Sequence, residues 1–258
     1  MVKGLYTAYT GLINEQNRMD VLTNNLANAS TVGFKKEGST SQAFNDVLAY
    51  KIKDTTDGWS ARPLGGISMG VKIGETYTDF SQGSLRSTEN TFDVAISGSG
   101  FFAVEFTNKA GVTSTKYTRD GSFILNKDGY LVTKDGDWVL GSNNNRIQLN
   151  PNLPAVIDQA GNIWQDDRQV ATIGITDFED YNYLEHYGEN YYQPVDGATT
   201  RAGDYKIMSG YLEMSNMSVV TEMVNMISVS RAYETNQKMV QTFDNTLEIS
   251  SKQLGKVQ

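Results

Sequence analysis

Acidic side chains offer the first chemistry in this sequence. Asp166-Asp167 and the group Asp177, Glu179, Asp180 and Glu185 supply enough carboxylates for the acid and base pair of a glycosidase. Solvated loop acids account for them equally well. His186 is the single imidazole and there is no cysteine, so a Ser-His-Asp triad would have to pass through that one residue, and thiolate metal sites, disulfides and a cysteine nucleophile are excluded. Among Tyr181, Tyr183, Tyr187, Tyr191 and Tyr192, His186 reads as a surface or packing residue. Gly98-Ser99-Gly100-Phe101-Phe102-Ala103 matches dinucleotide-binding spacing on letters, but that motif must open a helix, and Phe101–Phe106 reads as a strand. Asn126-Lys127-Asp128-Gly129 begins like a calcium loop without the later Glu in register. No catalytic residue, cofactor or metal site is assigned.

The charge balance narrows partners. With 22 Lys+Arg against 30 Asp+Glu the formal net charge is -8, and no basic run exceeds Lys35-Lys36, which argues against nucleic acid and anionic membrane surfaces. No apolar stretch approaches the roughly 18 residues of a membrane helix, and the first residues lead into a polar segment rather than a cleavable secretory leader. No small-molecule substrate is implied.

The elements that must position any site are helical at the two ends. Leu5, Leu12, Met19 and Leu26 recur every seven residues, flanked by Tyr9, Ile13 and Leu22; Val219, Met226, Tyr233, Val240, Leu247 and Leu254 do the same, widened by Met223, Val229 and Phe243. The shared period predicts two long helices pairing as a coiled coil, with Ser230, Gln237, Asp244 and Ser251 at the second seam position keeping the seam narrow. An ordinary antiparallel helix pair is the plainer alternative. Asn24, Asn25, Asn28, Gly33 and Phe34 form a helix stop, since Asn tolerates left-handed geometry and Gly33 can take positive φ and release Phe34 in a new direction.

Between the helices the period is two. Ser, Thr and Asn make up 65 residues and Gly 24, a turn-rich composition. Strands are expected at 71–80, 92–96, 102–106, 117–125, 130–133, 138–140, 155–157, 163–165 and 169–177, with Asp120-Gly121, Asp128-Gly129 and Asp135-Gly136 supplying positive φ at tight turns. A short helix is expected over 41–50 and an aromatic, acidic loop over 181–192. The predicted class is α+β: terminal helical parts 1–30 and 211–258, a linker or extended arm 31–74, and a mainly antiparallel β domain 75–205.

Three segments together resemble one family. Asn24-Asn25-Leu26-Ala27-Asn28-Ala29-Ser30-Thr31-Val32-Gly33-Phe34-Lys35 resembles the N-terminal signature of bacterial flagellar rod and hook proteins. Gly210-Tyr211-Leu212-Glu213-Met214-Ser215-Asn216, followed by Glu222–Ile227 and Arg231–Asn236, is similar to their C-terminal signature. Asp93–Phe102, Tyr117–Phe123 and Asp128–Val132 are similar to their β core. Met217-Ser218 stands where Val-Asp is usual and Ala29-Ser30 where Val-Asn is usual, leaving proximal or distal rod open.

The resemblance implies a structural, non-enzymatic subunit of a tube crossing the cell envelope, exported by the flagellar type III apparatus, with copies of itself and neighbouring rod or hook proteins as partners. It implies subunit packing through Leu5, Leu12, Met19, Leu26, Met226, Tyr233, Val240 and Leu247. A hook or hook-assembly scaffold is the nearest alternative, and a cell-wall glycosidase the alternative of a different class.

Overall fold

The computed structural model describes residues 2–44, 47–51, 62–68, 70–109, 111–188 and 190–254, in two compact units. Most of the stretch expected as the middle of a linker, residues 52–61, lies outside the described residues.

The first unit holds both helices. Helix α1 spans Val2–Ala27, followed by strands β1 (Glu37–Ala43), β2 (Val47–Lys51), β3 (Arg62–Ile67) and β4 (Val71–Thr78), and helix α2 spans Val219–Leu254. Strand β1 runs antiparallel to β4 from Glu37↔Thr78 to Ala43↔Val71, and β2 pairs with β3. The helices run antiparallel where Gly4 lies against the Phe243 ring and Gly11 against Asn236: a Cβ on either glycine would sit 2.8 or 3.0 Å from those side chains. Beside that line α1 also meets β1, with Asn14 Oδ1 accepting from the Ser41 hydroxyl at 3.2 Å. Ser218 precedes α2 and its carbonyl accepts from Glu222 N–H, placing an acid in the first turn where the helix dipole favours it.

The second unit, residues 28–36 with 79–217, is built of strands. They are β5 (Leu85–Ser87), β6 (Val94–Gly98), β7 (Phe101–Thr107), β8 (Thr113–Thr118), β9 (Phe123–Leu125), β10 (Leu131–Thr133), β11 (Trp138–Val139), β12 (Ala155–Ile157), β13 (Asn162–Gln165), β14 (Arg168–Thr172) and β15 (Ile175–Phe178). After a 3-10 turn at Tyr181–Tyr183 come β16 (Leu184–Tyr187), β17 (Tyr191–Pro194), β18 (Thr200–Arg201), β19 (Tyr205–Ser209) and β20 (Tyr211–Glu213). The main sheet runs β16-β17-β8-β7-β11-β10-β9, with β15 also on β7; β12-β13-β14, β19-β6 and β20-β5 form smaller sheets.

Successive side chains of a strand point to opposite faces, so the adjacent Phe101 and Phe102 enter different clusters. Phe102 joins Val94, Ile96, Phe123, Leu131, Val139, Ile163, Ile173 and Ile207. Phe101 joins Phe178 and Tyr192, with Phe80 edge-on at 5.7 Å. Each such ring or branched side chain contributes roughly 1.5–3 kcal/mol by leaving water.

The predicted class requires correction. Among the described residues there are two α-helices and twenty strands, so the chain is β-rich with helices at its ends, rather than an α+β chain organised by a coiled coil. Gly4 and Gly11, one residue before Leu5 and Leu12, lie close to α2, and their lack of a side chain leaves room for Phe243 and Asn236. Most of the line 230, 237, 244 and 251 is not the second line of burial on α2: Glu222 and Val229 are buried and Asn236 and Phe243 half-buried, whereas Ser230 is half-buried and Gln237, Asp244 and Ser251 are exposed. The short helix expected over 41–50 is the end of β1 and then β2, where ladder partners override local preference. The loop expected over 181–192 is the 3-10 turn and the β16–β17 pair, in which His186 faces Tyr192. Gly121 does not take positive φ; it allows close approach, since a Cβ there would lie 1.7 Å from the Val94 carbonyl oxygen.

Candidate functional site

Segments far apart in sequence converge inside the second unit on a buried charged junction. Lys35 follows the helix-stop motif, Arg119 directly follows β8 and Glu213 ends β20; their exposures are 1, 4 and 1 %. Glu213 Oε1 accepts from Lys35 Nζ at 2.6 Å and from Gly83 N–H at 2.9 Å, and Oε2 accepts from Arg119 Nη1 at 3.2 Å. Lys35 also donates to Ser81 O at 2.8 Å, and Arg119 Nη2 to Gly98 O at 2.9 Å while its guanidinium lies 5.2 Å from the Phe101 ring centroid. Burial pushes the Lys35 ammonium below its ordinary pKa, against the opposing charge and hydrogen bond of Glu213. One carboxylate serving two cations and a backbone N–H is the pairing that makes buried charge tolerable.

Backbone contacts complete the junction. Gly33 N–H donates to Glu213 O at 2.7 Å, and Lys36 N–H to Asn216 Oδ1 at 2.9 Å. Asn216 Nδ2 in turn donates to Asp79 O at 2.7 Å and Ser81 O at 3.2 Å. Asn190 Nδ2 donates to Val32 O at 2.6 Å, and Phe34 is buried beside these contacts in sequence. The Asp79 carboxylate, held by the Ser81 N–H and also facing Lys36, lies below the usual carboxylate range.

This arrangement fixes chain segments; it is not a catalytic constellation. Asp177 is buried against Arg201 Nε at 2.6 Å and accepts from Tyr181 OH at 2.7 Å. Asp166 and Asp167, at φ 54 and 60, are the two turn residues between β13 and β14. Asp180 caps the 3-10 turn and Glu179 accepts from Thr199 Oγ1. The Asn126–Gly129 segment is a β-turn closed by Gly129 N–H to Asn126 O at 2.9 Å, and among the described residues no group of three or more acidic or imidazole side chains could hold a metal ion. Gly98 and Gly100, at φ 118 and 113, turn the chain between β6 and β7, as strands rather than a helix require.

Three family models match, and each covers one of the charges of the junction. Residues 5–35 match the flagella basal body rod protein model, residues 95–165 the flagellar hook protein FlgE/F/G D1 domain, and residues 208–253 the flagellar basal body rod FlgEFG protein C-terminal model. Whole-length relatives agree. The flagellar basal-body rod protein FlgG of Buchnera aphidicola subsp. Schizaphis graminum is 33% identical over 262 residues, covering 96% of this chain and 98% of that protein. FlgG of Bacillus subtilis is 32% identical over 277 residues (96% and 97%), and the rod protein FlgF of Mesorhizobium japonicum 32% over 258 residues (99% of each).

The chain belongs to the flagellar basal-body rod protein family. It is a structural rod subunit of the flagellar basal body, and nothing supports the glycosidase alternative. In this rod protein the helix-stop residues lie as follows. Asn24 is exposed at the end of α1; Asn25 is buried, its Nδ2 donating to Glu37 O at 2.8 Å and its Oδ1 accepting from Glu37 N–H at 2.9 Å. Asn28 Oδ1 accepts from Thr31 Oγ1, and Gly33 takes φ 71. On the helices, Leu5, Leu12, Met19, Leu26, Met226, Tyr233 and Val240 are half-buried and Leu247 is exposed.

The junction charges were not singled out by sequence, although all three stand inside the quoted motifs. The available signal was a charge embedded in apolar letters, Val-Gly-Phe-Lys at 32–35 and Tyr-Leu-Glu-Met at 211–214. A charge buried between apolar neighbours needs a partner, but the partner of Lys35 is 178 residues away.

Proposed function

We propose that this rod subunit assembles through α1 and α2, whose helices line the inner wall of a tube while the β-rich residues form an outer layer. The observation that carries the reading is an exposed apolar stripe on the first turns of α2: Val220, Met223, Val224 and Ile227, at spacings of three, four and seven, all more than half exposed. Tyr6, Tyr9 and Ile13 form a second exposed stripe on α1. Neighbouring copies covering these stripes remove apolar surface from water at roughly 25 cal/mol per Å². The half-buried positions Leu5, Leu12, Met19, Leu26, Met226, Tyr233 and Val240, with the exposed Leu247, leave part of each side chain for the same contacts. Its partners are further copies and neighbouring flagellar rod and hook proteins; it leaves the cell through the flagellar type III apparatus, and its role is mechanical rather than enzymatic. The structural employment of Asp166, Asp167, Asp177 and Glu179 supports that last point.

Electron microscopy of basal bodies from a strain lacking this chain tests the assignment. A rod that stops short and bears no hook is expected. A complete rod without a hook would move the subunit to the hook or its assembly, and intact flagella would overturn the reading.

A further inference from the structure

The charged junction spans the second unit from its first segment to its last. Strand β19 pairs with β6 along five residues, Tyr205↔Gly98 to Ser209↔Val94, and inserts Ile207 into the main core. Strand β20 pairs with β5 and delivers Glu213 to Lys35 and Arg119. Without that final segment the core lacks a buried Ile, β6 lacks a partner strand, and two cations of one buried site keep only the carbonyls of Ser81 and Gly98. Removing one partner of a buried ion pair is far more costly than replacing the whole set by apolar groups, because the remaining charge is stranded away from water.

We propose that this unit folds only as a complete set: Glu213, in its last strand, is the counter-ion that lets Lys35, from its first segment, and Arg119, from its middle, be buried. A chain whose residues beyond 204 have not yet arrived therefore stays open, however much of the β sequence is present. For a subunit exported as an unfolded chain this delays closure until the last segment is through. That consequence rests on the export reading; the coupling itself does not, and is tested on the purified chain whatever the basal bodies show.

The test is native-state hydrogen exchange of the full-length chain at increasing denaturant. The amides of Gly33, Lys36, Val94, Leu131 and Ile207 are expected to open together, with one denaturant dependence. Gly33 or Ile207 exchanging roughly tenfold faster than Val94 and Leu131, through a smaller opening, would overturn the proposal. Glu213→Gln is expected to raise the open population of all five together by roughly 10²–10³-fold, and adding Lys35→Met to recover at least about tenfold. An effect confined to residues 28–36 overturns it. Should Glu213→Gln fail to fold, the triple variant Lys35→Met, Arg119→Met, Glu213→Met decides: regained protection supports the counter-ion role, and an unprotected triple variant rejects it.

Discussion

Gly33 separates two reasons for a glycine. It sits at φ 71, and a Cβ there would lie 2.5 Å from both Arg119 C and Asp120 N, backbone atoms with nowhere to go. Gly136 has φ 94 and nothing within 4 Å of its missing Cβ. Gly136→Ala is therefore expected to cost about 1 kcal/mol of backbone strain, and Gly33→Ala clearly more, on the order of 3 kcal/mol or above; denaturant midpoints of the two variants provide the comparison, and equal losses would remove the close-approach argument. Asp137 gives a pH-dependent case. Burial raises its carboxyl above the ordinary range, against the opposing hydrogen bond from Tyr191 OH at 2.9 Å. Between the unfolded and the raised folded pKa the folded chain binds more protons, so stability falls as pH rises through that window. Asp137→Asn keeps an acceptor for Tyr191 without the charge. It is expected to raise Tm at neutral pH by a few degrees, and the gain should vanish in acid below the ordinary carboxylate range; a gain independent of pH would point elsewhere. At this scale Gly33 was legible, because only glycine suits that helix exit. Lys35, Arg119 and Glu213 were not, because their meaning lies in contacts 94 and 178 residues apart.

Strands in which letters alternate were the most legible elements: β4, β7, β10 and β12 lie where period two places them. Strands β2 and β16 were missed because their residues, VLAYK and LEHY, carry little alternation and are held by the partners β3 and β17. The helices were legible in existence, and Val229 and Phe243, read as widening the seam, are buried and half-buried. A seven-residue recurrence marks a line on a helix, but neighbouring lines differ by one letter, and the line of glycines at 4 and 11 carries no hydrophobic signal although it admits Phe243. The same distinction gives a prediction for α2. Val224 is 60% exposed and Val229 3%, five residues apart on one helix. Val224→Asp should leave thermal unfolding of the single chain within about 0.5 kcal/mol of the parent, since its site meets water and lies near the helix N-terminus. It should nevertheless abolish self-association in sedimentation. Val229→Asp should instead destabilise the helix-bearing unit by several kcal/mol, because it buries an unpaired charge. Polymers formed normally by Val224→Asp would remove this stripe from the assembly surface.

At the scale of the molecule, the two units meet opposite constraints. The second is closed by two aromatic and aliphatic clusters and a satisfied charge junction. The first rests on long helices with little fully covered surface: among the described side chains of α2, Glu222 and Val229 alone are buried. Ordering each residue costs about 1–2 kcal/mol of backbone entropy, and helices without tertiary cover are marginal in water. Beyond Phe243 Leu247 and Ile249 remain 40% and 56% exposed. The turns from there to Leu254 are accordingly expected to fray in the isolated subunit and to become ordered when neighbouring copies cover them. Far-UV circular dichroism should show less helix in the monomer than the roughly one-quarter of the chain that α1 and α2 represent, with the deficit recovered on polymerisation. Hydrogen exchange should locate that deficit after Phe243. A monomer already carrying the full helix content, with protected amides to Leu254, would mean that ordering precedes assembly. The exposed stripes would then act by surface matching between preformed helices, and polymerisation would proceed without the large unfavourable entropy that coupled folding imposes.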